Sequence, residues 1–262
     1  MTLTIDDRIL VFTQRSVFFS DRPRDVTGVD AVRFPFCSAC VDEEGFSRRE
    51  SPTAIIDLRP DLDALWKGMD RKSTRYAVQR AEKEGIEVRV NAGYDAFYAI
   101  QQRFVRDKGY RSMFGAETPK PGLIRKYGTL FVAEHQGEIL GGHVYLEDAD
   151  NILLWVSASR RLEVDKEKAR MIGFANTFLH WEAMKYAKAK GIREFNWGGL
   201  FPETEVKQDP LKQTLNAYKL HFGGVVVTRY SYHKVYSPLY QAITALSRGL
   251  GSVREWFPRR PS

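Results

Sequence analysis

The sequence predicts an α/β (α+β) fold, in which a mixed central sheet is flanked by helices. Segments rich in β-branched and aromatic residues, bounded by turn residues, alternate with segments of helical periodicity. One long helical segment lies between residues 151–159 and 192–197, two apolar segments that we predict to be buried strands. The chain has 262 residues, of which 43% are hydrophobic, so it can form one large domain, or one domain with an appendage.

The long helical segment is defined by the spacing of its apolar residues. They fall on one helix face, at Met171, Phe174, Ala175, Phe178, Trp181 and Met184. Gly191 follows Lys188 and Lys190, and cations in a last turn followed by glycine are typical of a helix C-terminus. We therefore predict a helix that starts near residue 170 and ends before Gly191.

Arg170, Gly173 and Ala175 form the pattern R-x-x-G-x-A at the predicted start of this helix. A helix start offers free backbone N–H groups and a partial positive charge. A glycine there lets an anion approach closely, and an arginine can pair with that anion. These three residues are candidates for binding the phosphates of a donor. The alternative is that Gly173 and Ala175 allow close packing while Arg170 is solvated, and the short pattern alone favours this alternative.

With its flanking strands, this segment resembles the central motif of the GNAT acyltransferase superfamily, which holds the pyrophosphate of acyl-CoA at the helix start. The resemblance implies a GNAT-like mixed sheet flanked by helices. Two features depart from the motif: Ala175 stands where a second glycine is more usual, and the loop before Arg170 is slightly long.

A second resemblance is to the Fem-type branch of that superfamily, GNAT-fold aminoacyltransferases related to the enzymes that build peptidoglycan cross-bridges. It rests on a strand that ends in Gly198-Gly199, a polar loop, and Tyr218-Lys219 followed by residues 222–224, Phe-Gly-Gly. It covers most of residues 53–236 and is more specific after residue 128. Fem-type enzymes usually contain two GNAT-like modules, whereas this chain has room for little more than one.

The resemblance implies a division of the chain into three parts. Residues 1–50 are a reduced β-rich segment, interpreted as the remnant of a first GNAT-like module. Residues 51–236 are a GNAT-like acyltransferase domain, and residues 237–262 are a C-terminal helix and a basic tail. The tail places arginines beside Trp256 and Phe257, which suits peripheral contact with a membrane or a nucleic acid. A packed helix with a loose basic tail is the simpler interpretation.

A basic amphipathic helix is predicted up to Glu84, with Ser73 as its N-cap. The cations proposed to bind nucleic acid along it are Lys72, Arg75, Arg80 and Lys83. Such a face can follow a phosphate backbone. Fem-type proteins have a similar basic helix here, which resembles part of the acceptor or tRNA surface. A solvated surface with internal Glu–Lys pairs is the more common role of such a helix.

The overall charge favours anionic partners without choosing among them. The net charge is +7 and the isoelectric point is about 9.3, which suits phosphates, nucleic acid or an anionic membrane surface. No run of 18 apolar residues and no signal peptide is present, so we expect a cytoplasmic protein without a transmembrane segment. Cys37 and Cys40 supply half of a zinc site, and we expect two buried thiols and no metal.

The motifs of hydrolases, zinc peptidases and P-loop NTPases are absent from the sequence. Acyl transfer to an amine needs a neutral amine, a stabilised oxyanion and a protonated leaving group, so neither a dedicated nucleophile nor a cofactor is required. Lys219 would neutralise negative charge, Gly198 and Gly199 would let a substrate approach the backbone, and Tyr218 and His221 are possible proton carriers. The alternative for Lys219 is a surface lysine beside a tight turn. Residues 110–115 could line an acceptor pocket or cap the core.

Three hypotheses follow for the function. The first is a Fem-like N-acyltransferase that moves an aminoacyl group from aminoacyl-tRNA to an amine, such as a peptidoglycan-precursor-like or small-molecule amine. The second is an acyl-CoA-dependent N-acetyltransferase with acetyl-CoA as donor. The third is a non-catalytic GNAT-like binding module, for example one at a membrane surface.

Overall fold

The computed structural model describes residues 2–107 and 119–249, and within them ten strands form one mixed sheet in the order β1-β2-β3-β10-β4-β9-β8-β7-β6-β5. The strands are β1 (Leu3–Ile9), β2 (Phe12–Phe18), β3 (Ala31–Cys37), β4 (Ser47–Asp57), β5 (Glu87–Val90), β6 (Thr129–His135), β7 (Glu138–Glu147), β8 (Asn151–Ser159), β9 (Glu194–Gly199) and β10 (Val225–Val235). The helices are α1 (Leu62–Gly68), α2 (Tyr76–Lys83), α3 (Tyr94–Asp107), α4 (Pro121–Tyr127), α5 (Lys166–Ala189), α6 (Glu203–Val206), α7 (Pro210–Leu220) and α8 (Pro238–Gly249). The predicted mixed sheet flanked by helices is therefore confirmed.

The strands before α5 form an antiparallel meander. β5, β6, β7 and β8 pair in sequence order, and β6 and β7 are joined by a tight turn in which Gln136 and Gly137 both have positive φ. β8 and β9 are parallel, and α5 connects them. Their ladder includes residues 151–153 and 194–196, and past it the described parts of both strands continue without pairing to each other.

Helix α5 packs one face against the sheet, and this face forms much of the main core. Ile172, Ala175, Leu179 and Met184 are buried there with Phe195 of β9. The apolar spacing that predicted the helix identified this face correctly. α2 packs on the same helix, so the N-terminal half of α5 is covered by α2 on one side and approached by α7 on another.

The start of α5 was predicted wrongly. The helix begins at Lys166, because the side chain of Asp165 accepts a hydrogen bond of 2.9 Å from the backbone N–H of Lys168. Gly173 therefore lies in the helix interior, where backbone N–H groups bond to carbonyls of the preceding turn. An N-cap aspartate at this position is a recognisable sequence signal, and it places the helix start five residues before Met171.

The basic helix also begins differently from the prediction. Asp70, and not Ser73, is the N-cap, and its side chain accepts from the backbone N–H of Ser73 at 2.8 Å. Residues Arg71–Arg75 form a π-helical turn that leads directly into α2. The bond from the N–H of Arg75 to the carbonyl of Asp70, at 3.0 Å, spans five residues and widens the turn.

The N-terminal strands belong to the same sheet as the rest. β10 pairs with β3 on one side and with β4 on the other, and the predicted boundary at residue 50 falls inside β4. The interpretation of residues 1–50 as the remnant of a module stays a prediction. Cys37 is buried, but Cys40 is exposed, so the expectation of two buried thiols is wrong for Cys40.

Two predicted features lie outside the described residues: the loop at residues 110–115 and the basic tail after α8. No helix within residues 2–107 and 119–249 is long and apolar enough to cross a membrane. Contact of the tail with a membrane surface stays a prediction.

Candidate active site

Two cavities lie along the N-terminal half of α5 and share Arg170 and Phe174 in their walls. The first, of about 420 Å³, lies between the π-helical turn, α5 and α7, and we call it the α5–α7 cavity. The second, of about 480 Å³, lies between the end of α2, the β6–β7 turn and α5, and we call it the α2–α5 cavity. The α5–α7 cavity contains the predicted residues Arg170, Gly173 and Tyr218, so it is the candidate active site.

Gly173 opens the wall of the α5–α7 cavity. A Cβ atom at this position would meet no atom within 4 Å, because the residue faces empty space. Thr177 lies one helical turn further on, and its hydroxyl donates to the carbonyl of Gly173 at 3.1 Å. The R-x-x-G-x-A pattern was therefore predicted at the helix start but lies inside the helix. Its glycine, Gly173, nevertheless lines the α5–α7 cavity.

Two hydroxyl groups meet in the cavity wall. The Oγ1 atom of Thr177 lies 3.4 Å from the Oη atom of Tyr218, so α5 and α7 contact each other through these side chains. Burial raises the pKa of Tyr218 to about 12, and its hydroxyl keeps its proton at neutral pH. Tyr218 can therefore act as a proton donor to a group bound in the cavity.

Three cations surround the same cavity without a carboxylate partner. Arg161, Lys166 and Arg170 are exposed, and none of them has an ion pair within the described part of the chain. Lys168 on the same helix is different, since its ammonium group lies 2.7 Å from the carboxylate of Glu138. Uncompensated positive charge beside a cavity attracts an anionic ligand. The guanidinium of Arg170 lies 5.6 Å from the ring centre of Phe174, a cation–π contact.

The Gly-Gly end of β9 is contacted by the lysine of α7. The Nζ atom of Lys219 donates a hydrogen bond of 2.6 Å to the carbonyl of Gly199. Gly198 has φ of +71°, a left-handed conformation that glycine adopts readily. Its N–H donates to the side chain of Asn196 at 2.9 Å. Burial lowers the pKa of Lys219 to about 8. Lys219 directly follows Tyr218, but neither it nor the glycines line the α5–α7 cavity.

His221, at the C-terminal end of α7, is bound to the π-helical turn. Its Nδ1 atom lies 3.0 Å from the hydroxyl of Ser73, which donates to the carboxylate of Asp70 at 2.6 Å. The backbone carbonyl of His221 accepts from the N–H of Asp70 at 2.8 Å and from the hydroxyl of Thr74 at 3.2 Å. Ser73 and Thr74 both line the α5–α7 cavity, so His221 is connected to its wall.

A buried aromatic cluster packs against Tyr218. His180 packs against the rings of Trp197, Tyr218 and Phe222, with the Trp197 ring centre 4.2 Å away. The Oη atom of Tyr145 lies 2.7 Å from Nδ1 of His180. Burial keeps the pKa of His180 well below its usual value, so the ring is neutral.

Other predicted residues lie away from this cavity. Ala175 is 1% exposed and packs in the core, so its assignment to a donor site at the helix start is not compatible with its position. Arg80 forms an i,i+4 ion pair with Glu84 and lines the α2–α5 cavity, as expected for a helix with internal pairing. Lys72 and Lys83 are exposed and Arg75 is half-buried. A nucleic-acid role for these cations stays a prediction.

The sequence-based prediction missed Thr177, Arg161, Lys166 and Ser73. Thr177 had a usable signal, because it lies four residues after Gly173 and therefore on the same helix face. Lys166 could be recognised as a candidate only after the helix start had been placed correctly. Arg161 reaches the cavity from a 3₁₀ turn, Arg160–Leu162, and Ser73 reaches it from the π-helical turn. The periodicity of the sequence does not reveal the side-chain directions in either turn.

Comparison with known proteins gives a family match and several similar folds. The family model described as "Acetyltransferase (GNAT) domain" matches residues 69–219, more than half of the chain. The crystal structure of FemX is similar with a TM-score of 0.60 and 14% identity, over 92% of this chain and 86% of that one. The C-terminal domain of a putative lysylphosphatidylglycerol synthetase from Agrobacterium fabrum has a TM-score of 0.56 and 16% identity, over 97% of this chain and 87% of that one.

L-PGS from Bacillus licheniformis has a TM-score of 0.55 and 14% identity, and the match covers 97% of this chain and 86% of that one. At such identities these structures show a shared fold. No curated protein matches the sequence.

Proposed function

Because the chain belongs to the GNAT acetyltransferase domain family and is an acyltransferase, we propose that it moves an aminoacyl group from aminoacyl-tRNA to an amine acceptor. The observation that carries this proposal is the set of cations Arg161, Lys166 and Arg170, which form no ion pair with any described residue, around a cavity that Tyr218 also lines. A polynucleotide ester has several phosphates close to its reactive carbonyl, which suits positive charge distributed along a cavity edge.

The position of the R-x-x-G-x-A pattern weakens the acyl-CoA hypothesis. That hypothesis required Arg170 and Gly173 to lie at a helix start, where free N–H groups can hold a pyrophosphate. The start of α5 is instead at Lys166, and the carboxylate of Asp165 accepts the N–H of Lys168 there. A carboxylate bound in the first turn competes with a diphosphate for the same N–H groups.

The protonation state of Tyr218 also favours an ester donor. A thiol has a pKa of about 8.5, so the departure of a thiol from a thioester depends less on protonation than the departure of an alcohol does. A ribose oxygen is far more basic and leaves readily only when it is protonated. Tyr218, with a pKa of about 12, carries a proton at neutral pH and lies in the cavity wall. The structure thus contains an acid of the kind that an ester requires.

The proposed reaction forms one bond and breaks one. The acceptor nitrogen attacks the ester carbonyl, and the carbonyl oxygen becomes negative. Lys219 lies outside the cavity lining but directly follows Tyr218 in the chain, and we propose that its positive charge stabilises that oxygen. The C–O bond to the ribose then breaks, and the ribose oxygen takes the proton of Tyr218. The nitrogen loses one proton to a base, so an amide and a free tRNA hydroxyl are the products.

The names of the structural neighbours agree with an aminoacyl group. One neighbour is a putative lysylphosphatidylglycerol synthetase, and its name includes a lysyl group as part of the product. FemX, the other, agrees with the resemblance carried by Gly198-Gly199 and Tyr218-Lys219. Both are similar to this chain in fold, and the donor is inferred from the cavity.

The proposal is tested with two donors and one simple acceptor. Bulk tRNA charged with a mixture of radiolabelled amino acids, or radiolabelled acetyl-CoA, is incubated with hydroxylamine with and without the protein, and the hydroxamate formed above the protein-free reaction is measured. We expect hydroxamate from aminoacyl-tRNA, and thermal stabilisation of the protein by tRNA rather than by CoA. Transfer from acetyl-CoA alone would establish the acyl-CoA hypothesis, and binding of tRNA without transfer would indicate a binding module.

A further inference from the structure

We propose that Asp70 and Ser73 are positioning residues that hold His221 as the general base for the acceptor amine. This inference rests on the proposed function, because aminoacyl transfer to an amine requires a proton to leave the attacking nitrogen. Lys219 and Tyr218 are both protonated in their proposed roles and cannot take that proton. The sequence had suggested His221 as a proton carrier, but it did not identify the two residues that hold its ring.

The hydrogen-bond chain assigns the tautomer of His221. The Ser73 hydroxyl has one proton, and its oxygen lies 2.6 Å from Oδ1 of Asp70. A carboxylate has no proton to share, so the Ser73 proton must lie on this short bond. The oxygen of Ser73 is then an acceptor toward His221, and the Nδ1 atom at 3.0 Å must be the donor.

An imidazole that is protonated on Nδ1 has its lone pair on Nε2. Nε2 of His221 is therefore the basic atom, and no described residue forms a hydrogen bond with it. The side chain is exposed, so a bound acceptor can reach this atom. Asp70 does not touch the ring and acts through the Ser73 hydroxyl, which fixes the orientation of the base.

The position of His221 places this base beside the proposed acid. Tyr218 and His221 are three residues apart at the end of α7, so their side chains lie on the same side of the helix. Tyr218 and Ser73 both line the α5–α7 cavity. The acid is thus in the cavity wall, and the base is bonded to another residue of that wall.

The π-helical turn is what brings Ser73 to this position. The five-residue bond from Arg75 to Asp70 adds a residue to the turn, and both Ser73 and Thr74 then reach the cavity. π-Helical turns are rare and occur frequently at functional sites. The hydroxyl of Thr74 and the N–H of Asp70 also bond to the His221 carbonyl, so the same turn anchors the end of α7.

The proton inventory of the step is closed. The acceptor attacks as the neutral amine, after its ammonium form has lost one proton to water. As the C–N bond forms and the ester C–O bond breaks, the nitrogen gives one further proton to Nε2 of His221, and Tyr218 gives one to the ribose oxygen. The imidazolium then returns its proton through water to the Tyr218 phenolate. No oxidant, reductant or second acceptor is needed.

The test compares two acceptors that differ in their need for a base. Ethanolamine is protonated at neutral pH, whereas hydroxylamine is largely unprotonated there and its adduct loses a proton to water easily. With charged bulk tRNA as donor, we expect His221→Ala to lower kcat for ethanolamine by about 100-fold. We expect the loss with hydroxylamine to be less than about tenfold, and imidazole added to this variant to restore ethanolamine turnover.

The positioning residues are tested with the same pair of acceptors. Ser73→Ala and Asp70→Asn should each lower kcat for ethanolamine by about tenfold with little change in KM, and Ser73→Thr, which keeps the hydroxyl, should recover most of it. His135→Ala, in the α2–α5 cavity, is the matched control and should leave the ratio of the two rates as it is. Circular dichroism and urea unfolding establish that each variant is folded.

Each outcome decides the inference. Three results for His221→Ala would contradict the inference: an equal loss of kcat with both acceptors, no loss with either, or no rescue by imidazole. Any of them would show that His221 only anchors α7. If the wild-type protein transfers nothing from charged tRNA even to hydroxylamine, the proposed donor is wrong and this inference fails with it. A wild-type protein that is active, with an unchanged ratio in the variant, overturns the inference alone.

Discussion

The ammonium group of Lys219 donates a hydrogen bond of 2.6 Å to the carbonyl of Gly199, and it thereby joins α7 to the end of β9. Twenty residues separate the two partners, and a polar loop with α6 lies between them. The contact explains why the strand end and the lysine belong to one pattern in the sequence. It also places a positive charge, with its pKa lowered to about 8 by burial, where a strand ends in two glycines.

Lys219→Ala should lower kcat/KM for transfer from charged tRNA to hydroxylamine by about 100-fold or more, because it removes the charge that stabilises the oxyanion. The chain should remain folded, since the side chain is only half-buried. Lys212→Ala is a matched control on the same helix, two turns earlier, and should change the rate less than about threefold. A Lys219→Ala variant with normal kinetics would remove this lysine from the site.

The pH dependence of the reaction should follow the ionisation of Lys219. Its pKa is lowered to about 8, so the folded protein loses the ammonium charge as the pH rises through about 8, and kcat/KM should decline above that pH. Tyr218, with a pKa of about 12, adds no decline below pH 10. Lys219→Arg keeps its charge and should lose the decline, although its overall rate will be lower. Measuring kcat/KM with hydroxylamine from pH 6 to 9.5 distinguishes the wild-type protein from Lys219→Arg. If both proteins lose activity identically at high pH, the decline does not come from Lys219.

Substitutions of Gly173 should affect the stability of the protein and its binding of the donor in different ways. Gly173→Ala replaces glycine inside a helix and should raise the free energy of unfolding by about 1 kcal/mol, because the added Cβ meets no atom within 4 Å. Gly173→Leu should be at least as stable as the wild type, but its side chain will extend into the α5–α7 cavity and raise KM for charged tRNA at least tenfold.

Gly122→Ala in α4 is the control for the Gly173 variants, since a Cβ there also meets no atom within 4 Å and the residue lies outside both cavities. It should stabilise the protein and leave KM unchanged. If Gly173→Leu binds charged tRNA as the wild type does, the α5–α7 cavity does not hold the donor.

The three unpaired cations should determine the salt dependence of tRNA binding. If Arg161, Lys166 and Arg170 each contact one phosphate, each alanine variant should weaken binding and reduce the slope of log K against log salt by about 1. Filter binding or fluorescence anisotropy at several salt concentrations measures these slopes. Lys168→Ala, which removes a cation already paired with Glu138, should leave the slope nearly unchanged. Equal slopes in all four variants would place the phosphates elsewhere.

The sequence was most informative where a local pattern and the tertiary structure agree. The apolar face of α5 and the strand that ends in Gly198-Gly199 were both predicted, because each depends on periodicity or on glycine conformation. That Gly198-Gly199 and Lys219 belong to one motif was predicted from a family resemblance and not from periodicity, and their hydrogen bond is a finding of the structure. Both kinds of signal are carried by residues that are close in sequence.

The parts that were predicted wrongly or missed depend on contacts between distant residues. Asp70 bonds to the backbone of His221, and this contact helps to stabilise a π-helical turn where sequence rules predict an ordinary N-cap at Ser73. Similarly, the cavity at Gly173 is formed in part by Tyr218 of α7, which is distant from Gly173 in sequence and whose hydroxyl lies 3.4 Å from that of Thr177. Neither arrangement has a spacing that can be recognised in one sequence.

The position of β10 has a consequence for how the nascent chain is assembled. This strand is made after the other nine strands of the described sheet, yet it lies between β3 and β4, which are made much earlier. Until β10 emerges from the ribosome, one edge of β3 and one edge of β4 lack a partner strand, because that strand lies more than 160 residues later in the chain. β3 and β4 must therefore stay accessible and unaggregated until β10 is made, and a chain that is cut off before residue 225 leaves both edges open.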